Sequence, residues 1–66
     1  MKKKVLIVED DLNIQALERD YLESNSFIVE TAADGKTGLE MAMNEDYDLI
    51  LLVSLGEGSF LSRMVV

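Results

Sequence analysis

Hydrophobic residues in this chain alternate between short unbroken runs and helically spaced stripes, and the alternation predicts five elements. Val5-Leu6-Ile7-Val8 is a continuous apolar run, too short for a helix and too uniform for a strand with one wet face. It predicts a strand at about 4–8, buried in the centre of a parallel sheet covered on both sides. Ile14, Leu17 and Tyr21 then recur at i, i+3 and i+7 with Leu22 widening the stripe. This spacing predicts a helix over about 12–24, capped by Asp10 or Asp11, with Ile14 and Leu17 serving the core. Glu18, Arg19 and Asp20 lie mostly off that stripe. Ser24-Asn25-Ser26 is a turn cluster, and the β-branched and aromatic run Phe27 to Ala32 predicts a second strand at 27–32, near an edge because Glu30 interrupts it.

Ala33-Asp34-Gly35 is turn and cap chemistry. Leu39, Ala42 and Met43 follow at i, i+3 and i+4, which predicts a second helix over 35–44, stopped by Asn44-Glu45-Asp46. Gly38 inside it costs roughly 1 kcal/mol relative to alanine and makes it the weaker helix. Tyr47 to Val53 is the most apolar stretch and predicts a third strand at 48–53, followed by a loop over Ser54 to Ser59. Phe60 to Val66 is too short to hold a helix alone. Met41, Met43 and Met64 read as core filler, and Tyr21 and Tyr47 as core-edge residues with wet hydroxyls. A β-α-β-α-β order with short turns implies right-handed crossovers, a parallel sheet and the α/β class.

Composition narrows the chemistry. The 66 residues make one small domain, without cysteine or histidine, so disulfides and thiolate or imidazole metal sites are excluded and oxygen ligands remain. A net charge of −7 argues against binding a nucleic-acid backbone. Lys2-Lys3-Lys4 is the only basic cluster, and Glu9 breaks the apolar run behind it, so neither a secretory nor a membrane segment is expected and the cytoplasm is the default location.

The chemically pointed feature is Glu9-Asp10-Asp11, three carboxylates delivered to the end of the first strand. Crowded carboxylates repel one another, and a hard divalent cation with oxygen ligands, such as Mg2+, relieves that repulsion. The same residues also suit a solvated, helix-capping turn, and spacing favours neither reading.

Val5-Leu6-Ile7-Val8-Glu9-Asp10-Asp11, Ala32-Ala33-Asp34-Gly35 and Tyr47-Asp48-Leu49-Ile50-Leu51-Leu52 together resemble the amino-terminal half of a response-regulator receiver domain, in the family's order from about residue 3 to residue 59. The Glu-Asp-Asp form is most similar to receivers of winged-helix transcription factors. The resemblance implies half of a doubly wound, flavodoxin-like sheet of order 2-1-3-4-5, with ligands at the carboxyl ends of the strands. It implies a Mg2+-dependent phosphorylation switch in two-component signalling, a sensor histidine kinase as partner, and no enzyme activity. Glu9 and Asp10 match the family's metal-holding acidic pair, and Asp11 matches the capping position beside them.

The chain departs from the family where the phospho-acceptor aspartate is expected, because Val53 stands there. Valine neither accepts a phosphoryl group nor ligates a metal, so at best a weak Mg2+ site is expected. Asp48 is no substitute, since five residues of strand place it about 16 Å away. A plain substitution at Val53 fits the following residues poorly. An aspartate missing between Leu52 and Val53 fits better, either as a genuine deletion or as a modified residue lost from the written sequence, with Gly56 then standing where proline is common. Ser54 is a poor replacement acceptor because nothing near it in sequence acts as its base.

The family's later strands and helices do not follow in the 66 residues, which leaves the third strand as an apolar edge that invites pairing with another chain. The expected form is a homo-oligomer joined through that edge, or a marginal monomer. Three functional classes follow: a receiver unable to signal alone, a phosphorylation-independent pseudo-receiver that binds proteins, and an enzyme piece of another flavodoxin-like family. The third lacks both a glycine-rich phosphate loop and a nucleophile-base pair.

Overall fold

The computed structural model describes residues 2–52; Val53, Ser54, Met64 and the rest of segment 53–66 lie outside the described residues. Five elements follow in the order β1 (Lys4–Val8), α1 (Leu12–Ser24), β2 (Ile28–Ala32), α2 (Gly35–Asn44) and β3 (Leu49–Leu52). β2 begins one residue later than the sequence suggests, at Ile28, and β3 begins at Leu49. All pairing is parallel, and the sheet order is β2-β1-β3. β1 is therefore central and β2 is an edge among the described residues, which accommodates the half-buried Glu30. The class is α/β, and this arrangement is that of half a flavodoxin-like doubly wound sheet.

Register places Val5, Leu6, Ile7 and Val8 beside Leu49, Ile50, Leu51 and Leu52 on one side, and beside Val29, Glu30, Thr31 and Ala32 on the other. The apolar run of β1 is buried from both faces, with Val5, Leu6 and Ile7 fully enclosed. Leu6, Val8 and Ala32 form one core, packed by Met41 and Ala42 of α2 and by Tyr47 and Ile50. Side chains alternate along a strand, so Val5 and Ile7 point to the opposite face, where α1 lies.

Both helices begin on aspartate caps. Asp11 Oδ1 accepts the Asn13 and Ile14 amides at 2.9 and 3.2 Å, and Asp34 Oδ1 accepts the Thr37 amide at 2.7 Å. α1 ends in a Schellman turn: the Ser26 amide donates to Glu23 O and the Phe27 amide to Leu22 O. Ser26 takes φ 74° there, a left-handed conformation that glycine more often supplies.

The buried helical faces differ from the expected stripes. Leu17 and Tyr21 are each 69% exposed and Ile14 is exposed as well, so the three do not serve the described core. α1 instead turns Gln15, Ala16, Glu18, Arg19 and Leu22 inward to varying degrees. In α2 the inward positions are Gly38, Met41 and Ala42, while Leu39 and Met43 are exposed, so Met43 is not core filler. The reason for the second rotation is contact distance: a Cβ on Gly38 would lie 2.6 Å from Val8 Cγ2. α2 rests its backbone on β1 at that point, and residues one turn along pack beside it.

The amino-terminal end of the sheet is tied by polar groups. Lys4 pairs with Glu45 and, at 3.7 Å, with Glu30, and its ammonium lies 5.2 Å from the Tyr47 ring centroid. The hydrogen bond to Glu45 is the main influence holding the Lys4 ammonium above its ordinary pKa. The Tyr47 hydroxyl donates to Glu30, so it is bonded within the protein rather than wet; burial first, and Glu30 second, push its ionisation up. Asp48 accepts the Lys4 amide at 2.8 Å. It sits at the amino end of β1, the whole strand away from Glu9.

Candidate functional site

β1 delivers its carboxyl end between two neighbours reached by chain reversals in opposite directions, first to β2 and then back across to β3. In doubly wound sheets that switch point opens a crevice beyond the strand ends. Glu9, Asp10 and Asp11 stand there. The register extends one bond past β1, because the Glu9 amide donates to Ala32 O at 3.0 Å.

The three carboxylates do different work. Glu9 is only 2% exposed; its Oε2 accepts the Asp11 amide at 2.8 Å, while its Oε1 is buried without a hydrogen-bond partner among the described residues. Asp10 is exposed. Asp11 is the α1 cap, which resolves the choice between Asp10 and Asp11 for that role. Glu9 and Asp10 are thus adjacent, with Glu9 Oε1 and the Asp10 carboxylate outside the α1 cap, whereas Asp11 Oδ1 is engaged by the Asn13 and Ile14 amides. Among the described residues no three acidic side chains converge as a metal-holding group. Position 53 lies outside the described residues.

Two site-adjacent residues escape a sequence reading. Gln15 is 9% exposed, and its Nε2 donates to Glu9 O at 3.1 Å and to Ala32 O at 3.3 Å. Its polar letter in a helix gives no sign of burial. Glu18, expected on the outer face, has a buried Oε1 with no partner among the described residues. Burial, and then the negative charge of Glu9, raise its carboxyl above the usual range.

That shift carries a pH signature. A carboxyl whose folded pKa exceeds its unfolded value favours the protonated fold, so stability falls as pH rises from the unfolded to the folded pKa. Glu18→Gln is therefore expected to melt higher than the unsubstituted chain at pH 7 in metal-free buffer. The two should converge below roughly pH 4, where the glutamate is protonated in both states. Thermal unfolding from pH 3 to 8 checks this, and a lower melting point for the variant at pH 7 would contradict the assigned environment.

Two apolar grooves flank β3. One, of about 330 Å3, is lined by Leu17, Glu18, Tyr21, Leu22 and Leu51. The other, of about 340 Å3, lies on the opposite face between Val8, Gly38, Leu39, Ala42, Ile50 and Leu52. No helix among the described residues is long and apolar enough to cross a membrane.

Comparison with known proteins agrees with the fold. The family model described as the response regulator receiver domain matches residues 5–55. The response regulator ArlR of Staphylococcus saprophyticus is 47% identical over 49 residues, covering 74% of this chain and 22% of the relative. The transcriptional regulatory protein SrrA of Staphylococcus aureus is 40% identical over 52 residues, covering 79% of this chain and 22% of that protein. The chain thus spans about a fifth of the length of these curated relatives. No solved structure matches.

Proposed function

We propose, from the premise that this chain belongs to the response regulator receiver domain family, that it is a receiver module of two-component signalling whose 66 residues are not phosphorylated on their own. The single observation behind the second half is Val53, which stands where the family's acceptor aspartate follows the third strand. A side chain without a nucleophilic oxygen cannot take up a phosphoryl group. Partners come from the family: a sensor histidine kinase presents its phosphotransfer domain to the crevice at the end of β1. Neither enzyme activity nor nucleic-acid binding is assigned to these residues, the latter on account of the charge of −7.

Glu9 and Asp10 are the metal residues of this reading. Glu9 Oε1, buried and without a partner among the described residues, and the exposed carboxylate of the next residue, Asp10, suit Mg2+, a hard cation that keeps several waters and takes one or two carboxylates. The ion would neutralise the acidic cluster. With two carboxylates and no third converging on them among the described residues, binding is weak.

Intact-mass spectrometry before and after incubation with Mg2+ and a small-molecule phosphodonor tests the silent-receiver reading. The expected result is the mass of the 66 residues without a phosphoryl adduct. An adduct, or an additional aspartate-sized mass, would overturn it and restore a working switch.

Self-association through β3 is the companion proposal. β3 pairs only with β1 among the described residues, its Leu52 is exposed, and both grooves border it. Such an edge is a template for another strand. If a second copy completes the sheet, the melting temperature rises over a hundredfold increase in protein concentration; a constant value counts against it.

A further inference from the structure

We infer that Gln15 is a positioning residue for the Glu9/Asp10 cation site, an inference that rests on the ion-binding reading above. Its amide holds the peptide that joins the two acidic residues. The Glu9 amide nitrogen is tied to Ala32 O at 3.0 Å, and the Glu9 carbonyl is tied to Gln15 Nε2 at 3.1 Å. Both peptide groups flanking the Glu9 Cα are thereby anchored. A peptide unit is planar, so holding its carbonyl also orients the Asp10 N–H and fixes the Asp10 Cα from which that carboxylate departs.

The second Gln15 bond, to Ala32 O at 3.3 Å, pins the same amide to β2. One side chain from the second turn of α1 therefore locks together the ends of β1 and β2 and the acidic turn between β1 and α1. The Asp11 amide completes the arrangement by holding Glu9 Oε2, which leaves Oε1 as the oxygen without a partner among the described residues.

The residue type matters. Glutamine supplies N–H donors without a charge, so it orders the backbone while leaving the carboxylates' negative charge for a cation. A lysine or arginine reaching the same carbonyls would bring a competing positive charge. A leucine would fill the space and leave the Glu9 carbonyl without its donor. Hydrogen-bonded supports behind metal ligands commonly govern affinity by roughly 10–100-fold.

The test uses the full chain, with Mn2+ as a paramagnetic probe in 15N NMR, and compares Gln15→Met, which keeps the length without donors, with Gln15→Asn, which keeps the amide but shortens its reach. Ala16→Gly serves as the control, because it weakens α1 without touching either carbonyl. Expected are Mn2+ broadening around Glu9 and Asp10 in the unsubstituted chain, and about tenfold weaker binding in both folded Gln15 variants. Asp10 amide exchange should be faster in those variants, and Ala16→Gly should leave Mn2+ affinity unchanged. Unchanged affinity in either folded Gln15 variant, or an equal loss in Ala16→Gly, would overturn the positioning role. Absence of broadening in the unsubstituted chain defeats the ion-site reading instead. Asp10 exchange then decides the anchoring role separately, with faster exchange in the Gln15 variants supporting it and unchanged exchange refuting it.

Discussion

Leu6→Ala is expected to abolish cooperative unfolding of the 66-residue chain. Leu6 is fully buried in the central strand and is the largest member of the core it shares with Val8 and Ala32. Removing a buried leucine to alanine costs about 2–5 kcal/mol, and the loss is greatest where neighbours cannot collapse into the space. Here the neighbours are held on every side: β2 and β3 flank the residue through their registers, and α2 covers it through Met41 and Ala42. A single core in a chain below about 70–80 residues seldom supplies more than 3–5 kcal/mol, so the substitution removes most of it. Urea titration followed by far-ultraviolet circular dichroism is the measurement. Leu17→Ala on α1 is the contrast, since a 69% exposed side chain should shift stability by no more than about 0.5 kcal/mol. A Leu6→Ala variant with an unchanged midpoint would show that the stabilising core is elsewhere.

The second large effect reverses a helix-propensity expectation. Gly38→Ala should stabilise α2 by roughly 1 kcal/mol if propensity alone counted. The packing predicts the opposite sign. The new methyl would meet Val8 Cγ2 at 2.6 Å and Val8 Cγ1 at 3.1 Å, and valine, branched at Cβ, has little rotamer freedom with which to yield. Either α2 lifts from β1 or Val8 leaves its well, and overpacking of this kind costs about 1–3 kcal/mol. A double-mutant cycle with Val8→Ala isolates the clash. Gly38→Ala is expected to be destabilising alone and less so, or neutral, when Val8 has been shortened. A higher melting point for Gly38→Ala alone would mean that α2 does not rest on Val8.

These two residues also show what is readable in letters. Leu6 announces its burial, because an apolar run of four residues between polar flanks has nowhere to go but the middle of a sheet. Gly38 announces only a cost. Its benefit, the close approach of α2 to β1, involves a residue thirty positions away and has no local signature. The same division runs through the acidic site. Asp11 and Asp34 are legible as caps because capping is a bond between neighbours in sequence. Glu9 and Asp10 are legible as a pair because they follow a buried strand. Gln15 and Glu18 are not legible, since a glutamine or glutamate inside a helix is ordinarily a solvated letter. Their burial follows from the rotation of α1 on the sheet.

Element order, helix capping and the central place of β1 therefore follow from residue spacing, because hydrophobic periodicity and capping act over a few residues and are written where they act. The faces the helices bury, the anchoring of the Glu9–Asp10 peptide and the desolvation of Glu18 arise from contacts between segments distant in sequence. Ile14, Leu17 and Tyr21 form as clear a stripe as any in the chain, yet their exposure is set by how α1 lies against the sheet. Periodicity specifies that a helix has an apolar side; the sum of backbone approach, hydrogen bonding and side-chain volume across the interface selects which residues that side covers.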